Sequence, residues 1–508
     1  MNAAPPVPDP APAPGSAPAL DRSLKPLPKA PVRIVHLGLG AFHRSHQAWY
    51  TQHAPDAAEW GIAAFTGRRP DAAEALSAQA CLYTLVERSA GGDSFEVIGS
   101  IVEAIDGADV ARLCRFIAAP ETAVVTLTIT EAAYGLAADG TFDADAPSVA
   151  DDLRALSAAA APETSITRET SASGETSAPR GTAASGGARV PGTPLGRLVL
   201  ALARRRDSGA GPIAVVSCDN LSANGDVARR GVLGMAAAWG QDLVEWIGAN
   251  VSFVSTSVDR ITPRTTDADI AEVAEQCGYR DSSPVVAEPF RNWVLSGDFP
   301  AGRPRWEDAG AVVVDDIEPY ENRKLWLLNG SHSILAYAGQ LRGHATVAEA
   351  LADPLCRKAV EDFWDEAANH LRSEGLDIPG YRQALLERFG NARIAHRLAQ
   401  IAADGTTKLR MRAVPVLAAE RAEGRSGSGA ALMLAAWIDY VATAGDFQDP
   451  LAREIRAADS LDGAGRVEAL LRLVNAGIAE DADIVSLVHR LCGSFSATTA
   501  APATPTHT

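Results

Sequence analysis

Part-way along the 508-residue chain the spacing of apolar positions changes, and the change predicts its architecture. Before about residue 316, short β-branched runs at 32–37, 61–66, 123–129, 213–217 and 251–254 read as strands, and stretches at 72–80, 110–118 and 195–206 read as helices. Strands apolar at nearly every position are buried on both faces, so this alternation predicts an α/β fold with a largely parallel sheet. After residue 316 the valine and isoleucine runs give way to Ala, Leu, Arg and Glu at helical spacing, over 347–352, 358–373, 381–388, 394–403, 430–444, 466–476 and 483–491. These predict a mostly α-helical C-terminal domain. The expected order is a disordered tail over 1–30, a sheet domain over 31–315, a helical domain over 316–493 and a second tail over 494–508. Residues 163–193 are expected to be a disordered insertion in the first domain. They repeat Glu-Thr-Ser from Glu163, Glu169 and Glu175 and hold almost no aliphatic side chains to bury.

One apolar stretch in the second half carries three polar heads: Lys324-Leu-Trp-Leu-Leu-Asn329-Gly-Ser-His332. At about 100° per residue, Glu321, Lys324, Asn329 and His332 fall within an arc of roughly 140°, so an α-helix here would aim all four to one side. An amine on an apolar helix is costly unless it is paired or has lost its proton. Desolvation also brings a lysine from about 10.4 toward values useful for proton abstraction. The competing reading is a snorkelling lysine and a hydrogen-bonded core histidine.

Charge and cysteine usage exclude several classes. A net charge of -17 argues against nucleic acid as a partner. Cys81, Cys114, Cys218, Cys277, Cys356 and Cys492 form no CxxC pair and no Cys/His ligand spacing, which predicts reduced thiols, no metal and a cytoplasmic setting. No apolar run approaches the roughly 20 residues that cross a bilayer, so no membrane association is expected.

The strand at 32–37 ends at Gly38-Leu-Gly40, and residues 41–50 contain no helix breaker. Strand, Gly-x-Gly, helix is the setting of a Rossmann-type dinucleotide site, here drawn on Gly38, Gly40, Ala41, Phe42 and His43. His43 stands where the usual third glycine would be. Rossmann proteins that prefer NAD end the second strand with a carboxylate for the ribose hydroxyl. Here that strand runs into Gly67-Arg68-Arg69-Pro70-Asp71. Asp71 can serve a hydroxyl and the arginines a 2′-phosphate, so NADP stays open beside NAD.

Six motifs then occur in order: Gly38-Leu-Gly-Ala-Phe-His43-Arg-Ser-His46-Gln, Thr128-Ile-Thr-Glu131-Ala-Ala-Tyr134, Ser217-Cys-Asp-Asn220-Leu, Val258-Asp259-Arg-Ile-Thr-Pro263, Glu288-Pro-Phe-Arg-Asn-Trp293 and Lys324-x4-Asn329-Gly-Ser-His332. With them the chain resembles the mannitol dehydrogenase family of metal-independent polyol and sugar-acid dehydrogenases. The resemblance spans about residues 31–492 apart from the insertion. It implies a Rossmann-type domain, a helical substrate-binding domain and NAD as cosubstrate. It also implies that Lys324 is the general base in alcohol oxidation and the general acid in ketone reduction. Asn220 and Asn329 would hold the reacting oxygen, His332 would orient the substrate, and Asp259 and Lys408 would touch its other oxygens. Glu131 and Glu321 are expected to relay the lysine's proton, a structural ion pair being the alternative.

Within 388–408, His396-Arg397 and Gln400-Ile precede Asp404-Gly-x-x-Lys408, the arrangement of the fructuronate reductase branch, which interconverts D-mannonate and D-fructuronate. A carboxylate substrate needs a cationic partner, and Arg397, Lys408 and Arg393 are the expected suppliers, with His396 among the substrate contacts. Leu409-Arg-Met-Arg412 departs from the Leu-Pro-Gln-Arg expected there. Mannitol or D-arabinitol 2-dehydrogenase is the alternative activity, and a nucleotide-binding sensor the non-enzymatic one. A zinc dehydrogenase fares worse, since no Cys-His-Glu set has suitable spacing. The expected partner is a small sugar acid or polyol, and the expected state a monomer or small homo-oligomer.

Overall fold

The protein is described by a computed structural model covering residues 17–137, 139–161, 190–394 and 396–496. It divides into two compact units, one running to Glu87 and over Asp93–Ile317, the other made of Arg88–Gly92 and the chain from Glu318.

The strands of the first unit are β1 (Val32–Leu37), β2 (Gly61–Phe65), β3 (Tyr83–Ser89), β4 (Gly92–Ile98), β5 (Ile101–Ile105), β6 (Val124–Leu127), β7 (Ile213–Ser217), β8 (Val251–Asp259), β9 (Val285–Ala287), β10 (Asn292–Ser296) and β11 (Val312–Val313), the last two residues of β3 and the first of β4 belonging to the second unit. Eight of them form one sheet in the order β11-β10-β8-β7-β6-β1-β2-β5, parallel except where β10 runs against β8. Alternation along β1 explains the burial on both faces. Ile34 joins a core with Ile62, Ala64 and Val124, while Val35 and Leu37 join a second core with Phe65, Leu127 and the helix Pro194–Ser208. Such sheets leave their ligand crevice beyond the C-terminal strand ends. The smaller sheet, β4-β3-β9, was not apparent from hydrophobic runs because β4, Gly-Asp-Ser-Phe-Glu-Val-Ile, is polar and half-exposed along most of its length.

Two expectations drawn from composition are corrected. Residues 17–30 are folded onto the first unit: Leu20 is fully buried and its amide donates to the Arg280 carbonyl. The Arg22 guanidinium donates to the carbonyls of Ala80, Leu27, Gly99 and Ile101. One arginine donating to these carbonyls, and to that of Pro28 (3.2 Å), outweighs the proline-rich composition that marked the stretch as a tail. At the other end of the insertion, residues 190–193 are also ordered: Asp152 accepts from the amides of Gly192 (2.6 Å) and Thr193 (2.9 Å), and Thr193 caps the next helix. Positions 1–16, 162–189 and 497–508, with most of the expected insertion and tails, lie outside the described residues.

The second unit is helical and is built on Ser331–Leu341 and Ser428–Thr443, most of whose residues are buried. Among the described residues no helix is long and apolar enough to cross a membrane. The helix expected over 394–403 shrinks to Leu398–Ile401. The chain before it follows tertiary bonds instead: the Asn391 side-chain amide donates to the Arg88 carbonyl, and Arg397 forms an isolated bridge with Thr346.

A buried carboxylate helps bind these helices together. Glu420, 2 % exposed, accepts from Arg425 Nε on both oxygens (2.8 Å each), from Asn369 (3.1 Å), and pairs with His370 (2.8 Å). Its hydrogen bonds to Arg425 lead the effects that hold its pKa at about 2. Because that value lies below the unfolded one, the stabilisation is complete above the ordinary glutamate range and is lost as pH falls through the folded value. Acid titration of stability between pH ~4.5 and ~2 should therefore show a loss that Glu420→Gln removes, the variant being weaker by roughly 2 kcal/mol at neutral pH. Parallel acid limbs for the two proteins would contradict this.

Candidate active site

The stretch from Lys324 is helical, but it is not an α-helix. Glu318–Arg323 and Ser331–Leu341 are α-helical, and between them Lys324–Gly330 is a π-helix. In the expected α-helix Lys324 and Asn329, five residues apart, would lie roughly 140° from one another. A ladder that bonds i to i+5 sets the second nearly above the first. The wider turn therefore brings amine and carboxamide onto one face.

Such a turn disturbs the α-helical pairing of backbone carbonyls, and neighbouring side chains take up two of them. The amide of Ser331 donates to Leu328, and the Leu327 carbonyl accepts instead from the Ser331 hydroxyl and from Trp364 Nε1 (2.8 Å). The Asn329 carbonyl accepts from Arg412 Nη1 (3.0 Å), which also donates to the Ser333 hydroxyl (2.9 Å). Gly330 permits this packing: a Cβ there would stand 2.5 Å from Phe363 Cε1.

His332 follows one residue after the next helix begins. It is buried, packed between Phe389 (5.0 Å between ring centres) and His396 (4.9 Å, edge-on), and its Nε2 has no hydrogen-bond partner among the described residues. Burial first, then the neighbouring His396, Arg388, Arg412 and Lys408, holds its pKa well below the ordinary histidine value. It is a neutral ring in a positively charged setting. Burial lowers Lys408 as well, whose amine donates to the Ile401 carbonyl (3.1 Å), and lowers Arg412 to about 10.

In the first unit the relevant groups follow the strand ends. Asp219 accepts from the amides of Ile129 and Thr130 (3.0 Å each) and from the Tyr134 hydroxyl (2.6 Å), which joins the loops after β6 and β7. Thr130 is held in the left-handed region at φ +74°, a strained conformation that this clamp sustains. Asn220, the next residue, is thereby anchored at the end of β7, and Asp259 is the buried last residue of β8. Beyond β1, β2 and β6 opens a cavity of about 910 Å³ bordered by Gly38, Leu39, Thr66, Gly67, Arg68 and Thr128. Gly38 has φ +111°, and a Cβ there would lie 2.0 Å from the Thr128 carbonyl oxygen, so the close approach requires glycine. The volume and the glycine-lined backbone fit a dinucleotide.

Comparison with known proteins decides the family. Residues 32–308 match the model for the mannitol dehydrogenase Rossmann domain, and residues 316–492 match that for the mannitol dehydrogenase C-terminal domain. The chain belongs to the mannitol dehydrogenase family. Among its relatives is a D-mannonate oxidoreductase of Escherichia coli, 37 % identical over 90 % of this chain and 91 % of the relative. A D-arabinitol 4-dehydrogenase of Ralstonia nicotianae is 36 % identical over 82 % and 84 %. The solved Pseudomonas fluorescens mannitol 2-dehydrogenase, a ternary complex with NAD and D-mannitol, is 34 % identical over 92 % of both chains, with a TM-score of 0.70.

Against this mannitol dehydrogenase background, the expected residues fall into two groups. Lys324, Asn329 and His332 share one segment, and His396 and Lys408 act on the His332 ring. Gly38 borders the cavity, whereas Gly40, Ala41, Phe42 and His43 are not among its lining residues. The unbroken helix expected over 41–50 is two short ones, Ala41–Ser45 and Gln47–His53, parted at His46, whose backbone is non-helical (φ -117°, ψ -88°) and whose ring meets the Asn292 carbonyl on β10 (2.9 Å). His43 is buried and stacked on His36 at 3.3 Å. Asp71 sits on the surface in an ion pair with Arg69 (2.9 Å). Arg393 and Arg397 are exposed and do not share a helix, Arg393 donating to the Ser89 carbonyl (3.0 Å). Glu131 heads the 3-10 turn Glu131–Tyr134 and is exposed, while Glu321 is half-buried on the helix before Lys324.

Two contributors had no role assigned from the sequence: Arg412 and Trp364. Arg412 lies 83 residues from the carbonyl it holds, and although it closes the Leu409-Arg-Met-Arg412 motif, nothing local marked it as a prop for Asn329. If Trp364 supports the π-turn, Trp364→Phe should lower unfolding free energy by about 1–3 kcal/mol in denaturant titration. A change within about 0.5 kcal/mol, typical of inconsequential substitutions, would show that the turn stands without it.

Proposed function

We propose that the chain is a nicotinamide-dinucleotide-dependent oxidoreductase that interconverts a secondary alcohol and a ketone on a sugar acid, D-mannonate and D-fructuronate being the favoured pair. The observation that carries the substrate class is the set of cationic side chains around the neutral, buried His332, namely Arg388, Arg412 and Lys408. A carboxylate offsets that charge; a polyol does not. Arg388, Arg412 and Lys408 thus replace the exposed Arg393 and Arg397 as the candidate carboxylate partners. The E. coli D-mannonate oxidoreductase relative favours the same substrate class, whereas the P. fluorescens structure, which holds NAD and D-mannitol, keeps mannitol as the alternative.

A bound dinucleotide, NAD on the family pattern, supplies the hydride acceptor. Lys324 as a free amine takes the hydroxyl proton in oxidation and returns it in reduction. The carboxamides of Asn329 and Asn220 donate to the oxygen as negative charge develops, each worth on the order of 2.7–4 kcal/mol to the barrier. The unpartnered Nε2 of His332 is available for one substrate oxygen, and Asp259 and Lys408 for others. Glu321, three residues before Lys324, and Glu131 are the carboxylates assigned to pass the proton to solvent.

Steady-state kinetics on D-mannonate, D-mannitol and D-arabinitol should give mannonate the highest kcat/KM by about 100-fold or more, as loss of a buried charged contact implies. Lys324→Ala should lower kcat by roughly 10²–10⁴ while nucleotide binding persists. A preference for mannitol would refute the substrate assignment, and an unimpaired Lys324→Ala the role of the lysine.

A further inference from the structure

We propose that the first unit carries a built subsite for the 2′-phosphate of a phosphorylated dinucleotide, formed by Arg68 and Arg197 at the C-terminal end of β2. The proposal rests on the reading that the cavity beyond β1, β2 and β6 takes a dinucleotide.

In this kind of sheet the adenosine ribose meets the end of the second strand, where a carboxylate accepts from a free 2′-hydroxyl and an arginine accommodates a 2′-phosphate. Here β2 ends at Phe65, and Thr66, Gly67 and Arg68 border the cavity. The carboxylates around it are already engaged. Asp71 does not line the cavity and is paired with Arg69 on the surface. Asp151 lines it but pairs with Arg154. Asp152 accepts from the Gly192 and Thr193 amides and the Thr193 hydroxyl. Among the described residues lining the cavity, a ribose hydroxyl therefore finds no uncommitted carboxylate of the kind that NAD-preferring sites present.

The cations are in the opposite condition. Arg68 is exposed and makes no hydrogen bond or ion pair among the described residues. Arg197, half-buried, reaches the same loop from the helix Pro194–Ser208 and lines the cavity. Its hydrogen bonds are two long ones to neutral carbonyls, Nη1 to Gly67 (3.4 Å) and Nε to Pro191 (3.3 Å). Burial lowers its pKa, although Asp152 and Asp106 nearby act the other way. Room for the guanidinium is made by Gly107, where a Cβ would lie 2.9 Å from Nη1 and 2.0 Å from the Thr66 carbonyl oxygen. Two guanidinium groups flanking Gly67 suit a dianionic phosphate, which each can meet with paired N–H donors.

The test is calorimetric titration of the full chain with adenosine 2′,5′-bisphosphate and with 5′-AMP, which differ only in the 2′-phosphate. The bisphosphate is expected to bind at least about tenfold more tightly, the scale of one charge-assisted contact. Arg68→Ala and Arg197→Ala should each erase most of that advantage and leave the 5′-AMP Kd within about twofold. Since Arg68 is exposed, its variant carries the test even where the Arg197 variant folds poorly. Equal affinity for the two nucleotides, or an advantage untouched by Arg68→Ala, overturns the phosphate subsite alone. Binding of neither nucleotide, nor of NAD or NADP, overturns the dinucleotide reading beneath it.

Discussion

The irregular turn Lys324–Gly330 is the constraint on which the candidate chemistry of the second unit depends. A π register is a poor local solution for a chain, since it widens the turn and disturbs α-helical pairing. It persists where the surroundings over-determine it. Here Trp364 and Ser331 satisfy Leu327, Arg412 satisfies Asn329, and Gly330 lets Phe363 approach. The return on that local strain is geometric. Lys324 and Asn329, five residues apart in the chain, share a face of the turn.

The two units solve different electrostatic problems. Around His332 the second unit gathers Arg388, Arg412 and Lys408, and burial together with these cations keeps the ring neutral. The first unit uses backbone and buried carboxylates to shape its strand ends. Asp219 locks two loops together beside Asn220, Asp152 orders the chain entering Pro194–Ser208, and the glycine at position 38 lets β1 pass against β6. Arg412 belongs to both themes, as a prop for a backbone carbonyl and as part of the charge around the ring.

Much of the fold was legible because parallel strands buried on both faces leave uninterrupted β-branched runs, and β1, β2, β6 and β7 each have one. What was missed has physical reasons. Strand β4 is half-exposed, so its pattern carries little signal, and Arg22 binds a proline-rich stretch through carbonyls that composition does not reveal. The chemistry-bearing residues were visible as Lys324, Asn329 and His332 in an apolar stretch, but the turn type was not. Over seven residues an apolar run reads alike at either helical pitch. The partners that choose between them, Trp364 and Arg412, lie 37 and 83 residues away. Arg197 was hidden for a similar reason, since it meets Gly67 across 130 residues of chain. The carboxylate at Asp71 illustrates the reverse error: its position after the second strand was right for a ribose, yet Arg69 takes it to the surface.

If Lys324 and Asn329 act on one oxygen as a unit, their contributions to turnover cannot be independent. A double-mutant cycle of Lys324→Ala and Asn329→Ala, read as kcat/KM for D-mannonate, measures this directly. The account predicts that the double variant is about as slow as the slower single variant. Losses that multiply would mean that the amine and the carboxamide work separately, and that the π-turn does not serve to align them.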